Sequence, residues 1–392
     1  MLIEPDTRTD TADWSARLRG RTSRPEEWLA EKIIKLVSHS AIVLVFLILA
    51  FIVRESLPVF LGRLDNDHHQ RVIPLAEIDR HSDEELQRYL ELSAADFARL
   101  DSNTLRLMME VKAEAAAEAP QHPDAAMNTT RWRYLVGPQQ WSEYPEPVYV
   151  WQPVSDVPKY NIVPLLVGSL KTTFTAILFA VPLALGAAIY VSQLAGTRIR
   201  EFTKPAIEML AGIPSVVLGF FALIVMASTL QQVFGYDSRL NTLVAGLALG
   251  FAILPLVFSI AEDALSTVPA SFRDAGLALG ATPWQVAWQI VVPAALPGIF
   301  AAVLLGFGRA IGETMIVLMA SGNASIMSWN LLDSTRTVTA TIAAELAEAV
   351  FGGNHYRIIF MLGALLFAIT FVTNLAGEVI IHRLKARLEG TR

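Results

Sequence analysis

The 392-residue sequence contains no cysteine. Disulfide staples, thiol catalysis and thiolate metal sites are therefore excluded. Charge is scarce too: Asp, Glu, Lys and Arg make up 17% of the chain, against about 25% in ordinary soluble domains. Such a deficit implies long stretches that never face water. No G-x-x-x-x-G-K-[ST] phosphate loop occurs, so the chain carries no ATP-hydrolysing engine of that type and reads as no enzyme. There is no strongly basic run and the formal net charge is −6, which argues against nucleic acid as a partner. His68 and His69 stand as a lone pair without further ligands in view, so no metal site is expected. No secretory signal is expected either, because residues 1–31 are polar and lead into an apolar run too long for an h-region.

What the sequence does have is hydrophobic residues, 53% of the total. They gather into six runs, at 33–53, 162–193, 206–234, 240–261, 297–320 and 356–381. A bilayer core needs about 20 mostly apolar residues in a helix, and each run meets that length. The fold class expected is all-α, a polytopic membrane protein with about six transmembrane helices in contact with lipid. Basic residues cluster in three flanking regions. Arg17, Arg19, Arg21, Arg24 and Lys32 precede the first run; Arg198, Arg200 and Lys204 link the second and third; Arg383, Lys385, Arg387 and Arg392 follow the sixth. With six spans all three regions fall on one side, and their Lys/Arg excess marks it as cytoplasmic. The expected layout is a cytoplasmic tail (1–32), a first span (33–53) and an extracytoplasmic segment (54–161). A five-helix core (162–381) then carries a cytoplasmic loop (262–293), and a basic cytoplasmic tail (382–392) follows.

The extracytoplasmic segment holds the chain's acidity, with 18 Asp/Glu against 11 Lys/Arg. Ser82 to Glu85 form a capping-box pattern leading into Leu86, Tyr89 and Leu90, and a second helix is expected over about 103–118. Residues 141–158 interleave Pro145, Pro147, Pro153 and Pro158 with Trp141, Tyr144, Tyr149 and Trp151. Prolines favour an extended linker and the aromatics suit the headgroup level, so a lid or spacer is expected.

The loop between the fourth and fifth runs has internal order. Pro269 and Ser271 suit a helix start, Asp274, Ala275 and Leu277 sit in a short helix, and Gly280 suits its end. Thr282 as N-cap and Pro283 at the first helical position restart a second helix, expected to run to Pro293. A helix–Gly–helix at the membrane surface can carry force from a docked protein into the spans it joins.

Inside the fifth run, Arg309 lies near the expected mid-bilayer depth, where a charge costs roughly 2.5–3.5 kcal/mol and should face the bundle or a wet cavity. Glu313 is four residues on, one helical turn away and within reach of an ion pair. Gly308 and Gly312 form a G-x-x-x-G pair suited to close helix approach. Two readings stand: Arg309 and Glu313 neutralise each other and lock helices, or Arg309 offers its guanidinium fork to a tetrahedral oxyanion. Phosphate keeps a P–OH proton near neutral pH that a carboxylate can accept, whereas sulfate has none. In the third run, Pro214 is expected to break the helix, making Gly212, Pro214 and Ser215 candidates for the lining of a path. Lys171 is expected to snorkel to headgroups, and Glu208, Glu262 and Asp263 to be solvated or to meet a partner.

These motifs carry a resemblance. The loop resembles the E-A-A, three residues, G, nine residues, I-x-L-P pattern of ABC importer permeases, with Asp274, Ala275 and Gly276, then Gly280, then Ile290, Val292 and Pro293. The string RAIGET, Arg309 to Thr314, resembles phosphate-importer permeases of the PstC type, as do LAGIPSVV at 210–217 and the later TATI and AELAEA segments. The resemblance spans about 161–388. It implies an inner-membrane subunit importing phosphate by alternating access, with Arg309, Glu313, Thr314, Gly212, Pro214 and Ser215 along the pathway. It also implies that the ATPase couples through Asp274, Ala275, Gly276, Gly280, Ile290 and Pro293. The implied partners are a related PstA-like permease, two ATPase subunits holding ATP and Mg, and an extracytoplasmic phosphate-binding protein; no cofactor is expected in this chain. Import of another oxyanion such as molybdate or sulfate, transport without an ATPase, and a membrane-anchored sensor stand as alternatives. Secondary transporters often show internal repeats, and none is evident here.

Overall fold

The computed structural model describes residues 25–64, 82–90, 92, 94–97, 99–118, 123–124 and 127–388. The basic residues of 1–24, Arg392 and the pair His68–His69 lie outside them. The described residues form fourteen helices and one two-stranded antiparallel sheet. Six helices are long and apolar enough to cross a membrane. In chain order the helices are α1 Pro25–Phe60, α2 Asp83–Leu90, α3 Ala94–Phe97, α4 Ser102–Glu118 and α5 Trp132–Val136. Then come α6 Val163–Leu194, α7 Thr197–Ala211, α8 Ser215–Phe234 and α9 Thr242–Ser266. The last five are α10 Ala270–Ala278, α11 Pro283–Ile311, α12 Met315–Ala320, α13 Val338–Glu345 and α14 Asn354–Leu388.

By contacts the chain divides at Arg54 into two units. The first holds most of α1, whose run IVLVFLILAFIV has no polar face. In the second, α9 is the hub. It is the most buried of the six long helices, and it packs against α6 on one side and α11 on another. Small residues permit that approach. A Cβ on Gly246 would lie 2.6 Å from Thr175 of α6, and one on Gly306 of α11 would lie 2.6 Å from Val257 of α9. The fully buried alanines Ala176, Ala180, Ala184 and Ala188 continue the small-residue surface along α6. A Cβ on Gly308, in contrast, would make only ordinary contact with Asn374 of α14 at 3.5 Å, and one on Gly312 would meet only backbone of α11; the tight contacts use Gly298 and Gly306.

Two expected spans have other limits. Pro214 breaks the helix as expected, so the third span begins later than residue 206: α7 ends at Ala211 and α8 begins at Ser215. A proline at a helix start forfeits no intrahelical hydrogen bond, so the break falls where it costs least. The fifth span is longer at its start and shorter at its end than expected. From Pro283 the helix continues through Pro293 and Pro297 to Ile311, a single rod of 29 residues or about 43 Å. A wide π turn at Ala287–Val291 precedes Pro293 and accommodates its missing donor. The second loop helix and the span are thus one element.

At the end of the bundle that carries the long insert, a second core gathers Val59 and Leu64 with Leu135, Trp151, Tyr160, Ile162, Val338 and Ile358. Residues 141–158 are not a bare linker. Trp141 and Trp151 are almost fully buried, and Trp151 pairs edge-on with Tyr160 across the sheet Trp151–Gln152 and Lys159–Tyr160. Their rings are taken up by protein, which removes them from any headgroup layer. Helices α2 and α4 share a small core of their own around Leu86, Leu90 and Met109.

The glycine contacts make a testable distinction. Gly246→Val and Gly306→Val should each destabilise the protein by about 1–3 kcal/mol through overpacking, seen as a lower midpoint of thermal unfolding in detergent. Gly363→Ala, with open space around it, should leave the midpoint unchanged or slightly raised.

Candidate functional site

Arg309 occupies the last turn of α11. The helix ends at Ile311, Gly312 to Thr314 break it, and α12 restarts at Met315. Glu313 therefore does not sit one helical turn above Arg309, and the two side chains form no ion pair. The sequence offered no signal for this stop beyond Gly312, because RAIGETMIVLMA reads as continuous helix. The Arg309 side chain is exposed and has no hydrogen-bond or ionic partner among the described residues. A cation at a helix C-terminus is favoured by the exposed carbonyls, yet a guanidinium left open in an apolar span demands water, an anion or another chain.

The broken segment is held by hydroxyls. Thr339 Oγ1, at the start of α13, donates to the Glu313 carbonyl at 2.8 Å and lies 3.1 Å from Thr337 Oγ1. Ser169 Oγ of α6 accepts from the Val338 amide at 2.9 Å. Glu313, Ser169, Thr172, Thr173, Thr337 and Thr339 come together around a crevice too narrow to admit a water molecule. Sequence reading missed this lining, since its members come from three elements far apart in the chain.

Lys171 does not snorkel. It is buried, and Nζ donates to the carbonyls of Ser328 at 2.9 Å and Asn330 at 3.0 Å. The same loop caps α9: Thr242 and Leu243 donate their amides to Asp333 and Leu331, and Asn241 caps Val244. These bonds satisfy donors that every helix start leaves open.

Residues 212–214 are exposed between α7 and α8, with Ser215 half-buried; Leu210 and Ile213 share a hollow with Ala248 and Phe251, partway along α9, and Gly219 of α8 packs on Met315 and Ile316 of α12. Helix α10 follows α9 after three residues. Its end is marked by Gly280 at φ +85°, a conformation that glycine adopts without strain. Thr282 and Gln285 cap α11 reciprocally. Gly276 is buried beneath Ile290: a Cβ there would lie 2.5 Å from Ile290 Cδ1 and 3.0 Å from Val286. That contact explains why this pair of positions carries glycine and isoleucine, since α10 lies flat on the first turns of α11. Asp274, Ala275 and Pro293 face outward beside exposed Phe272, Leu279, Trp284 and Trp288. A charged residue ringed by uncovered large apolar side chains is the composition of a protein-docking surface.

Residues 180–386 match the family model described as the binding-protein-dependent transport system inner membrane component. The chain belongs to this family. It is 35% identical over 223 residues to a probable ABC transporter permease protein, YqgH, of Bacillus subtilis, covering 57% of this chain and 72% of that protein. It is 36% identical over 256 residues to the phosphate transport system permease protein PstC of Mesorhizobium japonicum, covering 60% and 77%. To the PstC of Pasteurella multocida it is 32% identical over 256 residues, covering 60% and 79%. The protein is accordingly a multi-pass inner-membrane transport permease and not an enzyme.

Two further features of this permease went unread in the sequence. Glu262 is fully buried rather than solvated. It is clasped by Arg200 NH2 at 2.7 Å, Lys204 Nζ at 2.6 Å and Ser266 Oγ at 2.8 Å. Hydrogen bonding to Glu262, and then to Asp263, holds the Lys204 ammonium above the usual lysine pKa. At the insert end, a groove of about 1100 Å³ runs between residues 143–155 and residues 323–348. Glu345 ties its floor together, accepting from Trp151 Nε1 at 3.1 Å and pairing with Arg336 at 2.7 Å and His355 at 2.9 Å.

Lys171 supports a direct test. Lys171→Met should remove two charge-assisted bonds worth about 1.5–3 kcal/mol each, and amide exchange across residues 328–335 should quicken by about ten-fold or more. Unchanged exchange there would show that the loop is held by its own turns.

Proposed function

We propose that this permease is the transmembrane subunit of an ATP-driven importer that moves inorganic phosphate inward by alternating access. The observation that carries the reading is the unpartnered Arg309 guanidinium beside the break at Gly312, in a chain whose relatives include phosphate permeases. A planar fork of donors suits two oxygens of a tetrahedral oxyanion. Glu313, on the other side of the break, can accept the P–OH proton that phosphate retains and sulfate lacks. Thr314, next to Glu313 in the break, lies along the same path, and the Thr339 hydroxyl holds the Glu313 carbonyl in place. The route continues past Gly212, Pro214 and Ser215, at the break before α8, whose first turn packs on the start of α12.

In this reading both termini and α10 are cytoplasmic, following the basic flanks, and the insert and the groove face outward. A PstA-like permease completes the pathway and covers the open face that holds Arg309. Two ATPase subunits, which hold ATP and Mg, dock on Asp274, Ala275, Gly276, Gly280, Ile290 and Pro293 and their counterparts in the second permease. An extracytoplasmic phosphate-binding protein delivers the substrate. Closing of the ATPase dimer moves α10 and, through the unbroken rod of α11, the Arg309 end of the span.

Labelled phosphate uptake in cells lacking their own high-affinity system, with the partner subunits co-expressed, tests this. Uptake should require the intact chain and resist excess sulfate. Arg309→Gln should lower it by at least about ten-fold at normal membrane levels, and Arg309→Lys should restore only part, because an ammonium lacks the fork. Uptake blocked equally by sulfate or molybdate would replace phosphate with the broader oxyanion class. Separately, Gly276→Val should push α10 off Ile290 and abolish co-purification of the ATPase, while the protein still reaches the membrane.

A further inference from the structure

The buried carboxylate of Glu262 has no role in a solute path, since it lies at the α10 end of α9 and both of its oxygens are occupied. What it does is join two helices. Arg200 and Lys204 belong to α7, Glu262 and Ser266 to α9, and Arg200 NH2 also reaches Ser266 Oγ at 3.0 Å. Lys204 bonds Asp263 as well, at 3.0 Å. Helix α7 has no buried residue; Ile207 packs on the core shared by α6, α9 and α11, and the ion cluster supplies its directional bonds to α9. An attachment made of ions at one level of a helix is stiff at that level and adds little apolar area.

Both ends of this clasp lead to elements already described. On one side, α9 passes directly into α10, and Arg273 of α10 returns a hydrogen bond to the Leu265 carbonyl at 3.3 Å. On the other, α7 passes through residues 212–214 into α8, the third span. Residue 213 is exposed at that break. A displacement of α10 therefore has a short route to α8: the end of α9, then Glu262, then Arg200 and Lys204, then α7 and its break. We propose that Glu262, Arg200 and Lys204 form a coupling latch, positioning residues through which α10 moves the third span by way of α7. The latch makes α7 follow α9 as one body through the transport cycle.

The inference rests on the reading of α10 as the ATPase-docking element, and the test separates the two. The assembled transporter would be reconstituted with its ATPase and binding protein, with Ile213→Cys added as a reporter; the chain has no other cysteine. Maleimide labelling would be compared between nucleotide-free and vanadate-trapped complex, a readout that needs no transported substrate. The latch predicts a labelling rate that changes between the states in the otherwise intact chain and stays constant in Arg200→Gln/Lys204→Gln. ATP hydrolysis in that variant should remain within about two-fold while phosphate uptake falls by about ten-fold. Lys204→Gln alone, which leaves Arg200 on the carboxylate, should give an intermediate loss if the double variant assembles poorly. Lys204→Arg should retain coupling. State-dependent labelling that survives in the double variant would overturn the latch, as would a state-independent rate in the intact chain or hydrolysis falling in parallel with uptake. Failure of the ATPase to co-purify with the unaltered chain would instead strike the docking reading.

Discussion

The structure depends on how closely α9 can approach its neighbours. In a bilayer there is no hydrophobic gain from burying one apolar helix against another, so association falls to packing and to polar bonds. Gly246 and Gly306 bring backbones to a distance that any side chain would forbid. With α6, α9 and α11 fixed in this way, the less buried parts, α7, α8 and α10, can be attached to them by few contacts. The result is a rigid centre with movable margins, which suits a permease whose work is to change the side from which a path is open.

Helix breaks in this chain fall where the backbone is otherwise provided for. Unsatisfied amides and carbonyls are costly in lipid, and irregular backbone survives only against protein or water. The break after α11 is supported by Thr339 on the Glu313 carbonyl, and the start of α9 is covered by the loop that Lys171 anchors. The break before α8 lies beside the middle of α9, next to Ala248 and Phe251, with a proline that needs no donor. Polar residues that look misplaced in a hydropathy profile thus act as the supports of interruptions elsewhere. Lys171 and Ser169 belong to α6, yet each serves a segment more than 150 residues away.

Charge is used differently at the two ends of the bundle. Near α10, Glu262 is saturated by two cations and a hydroxyl, and removing either side would leave an uncompensated buried ion. At the break after α11, Arg309 is left open. A buried ion that already has its full complement of partners holds a geometry, whereas an unpartnered one on an exposed face is available to something else. This contrast separates residues that position from residues that can bind.

By itself the sequence determined the number of spans, their all-α character, and the helix–Gly–helix between the fourth and fifth, because length, hydropathy and glycine placement are local and strong. Thr282, Pro283, Gln285 and Gly280 behave as capping rules require, needing only their immediate neighbours. The motif positions Gly276 and Ile290 were legible as a pattern, but the reason for them, that one sits beneath the other, needed the fold. Only the tertiary structure decided that Arg309 and Glu313 are unpaired, since a helix stop at Gly312 is not written in RAIGET. The same holds for the burial of Trp141 and Trp151, for Lys171 and for Glu262. Trp151, Lys171 and Glu262 take their surroundings from distant parts of the chain, and Trp141 is covered by the folding back of its own segment. Periodicity and composition report what a residue can tolerate, whereas its partner is chosen by which helices lie close enough to touch.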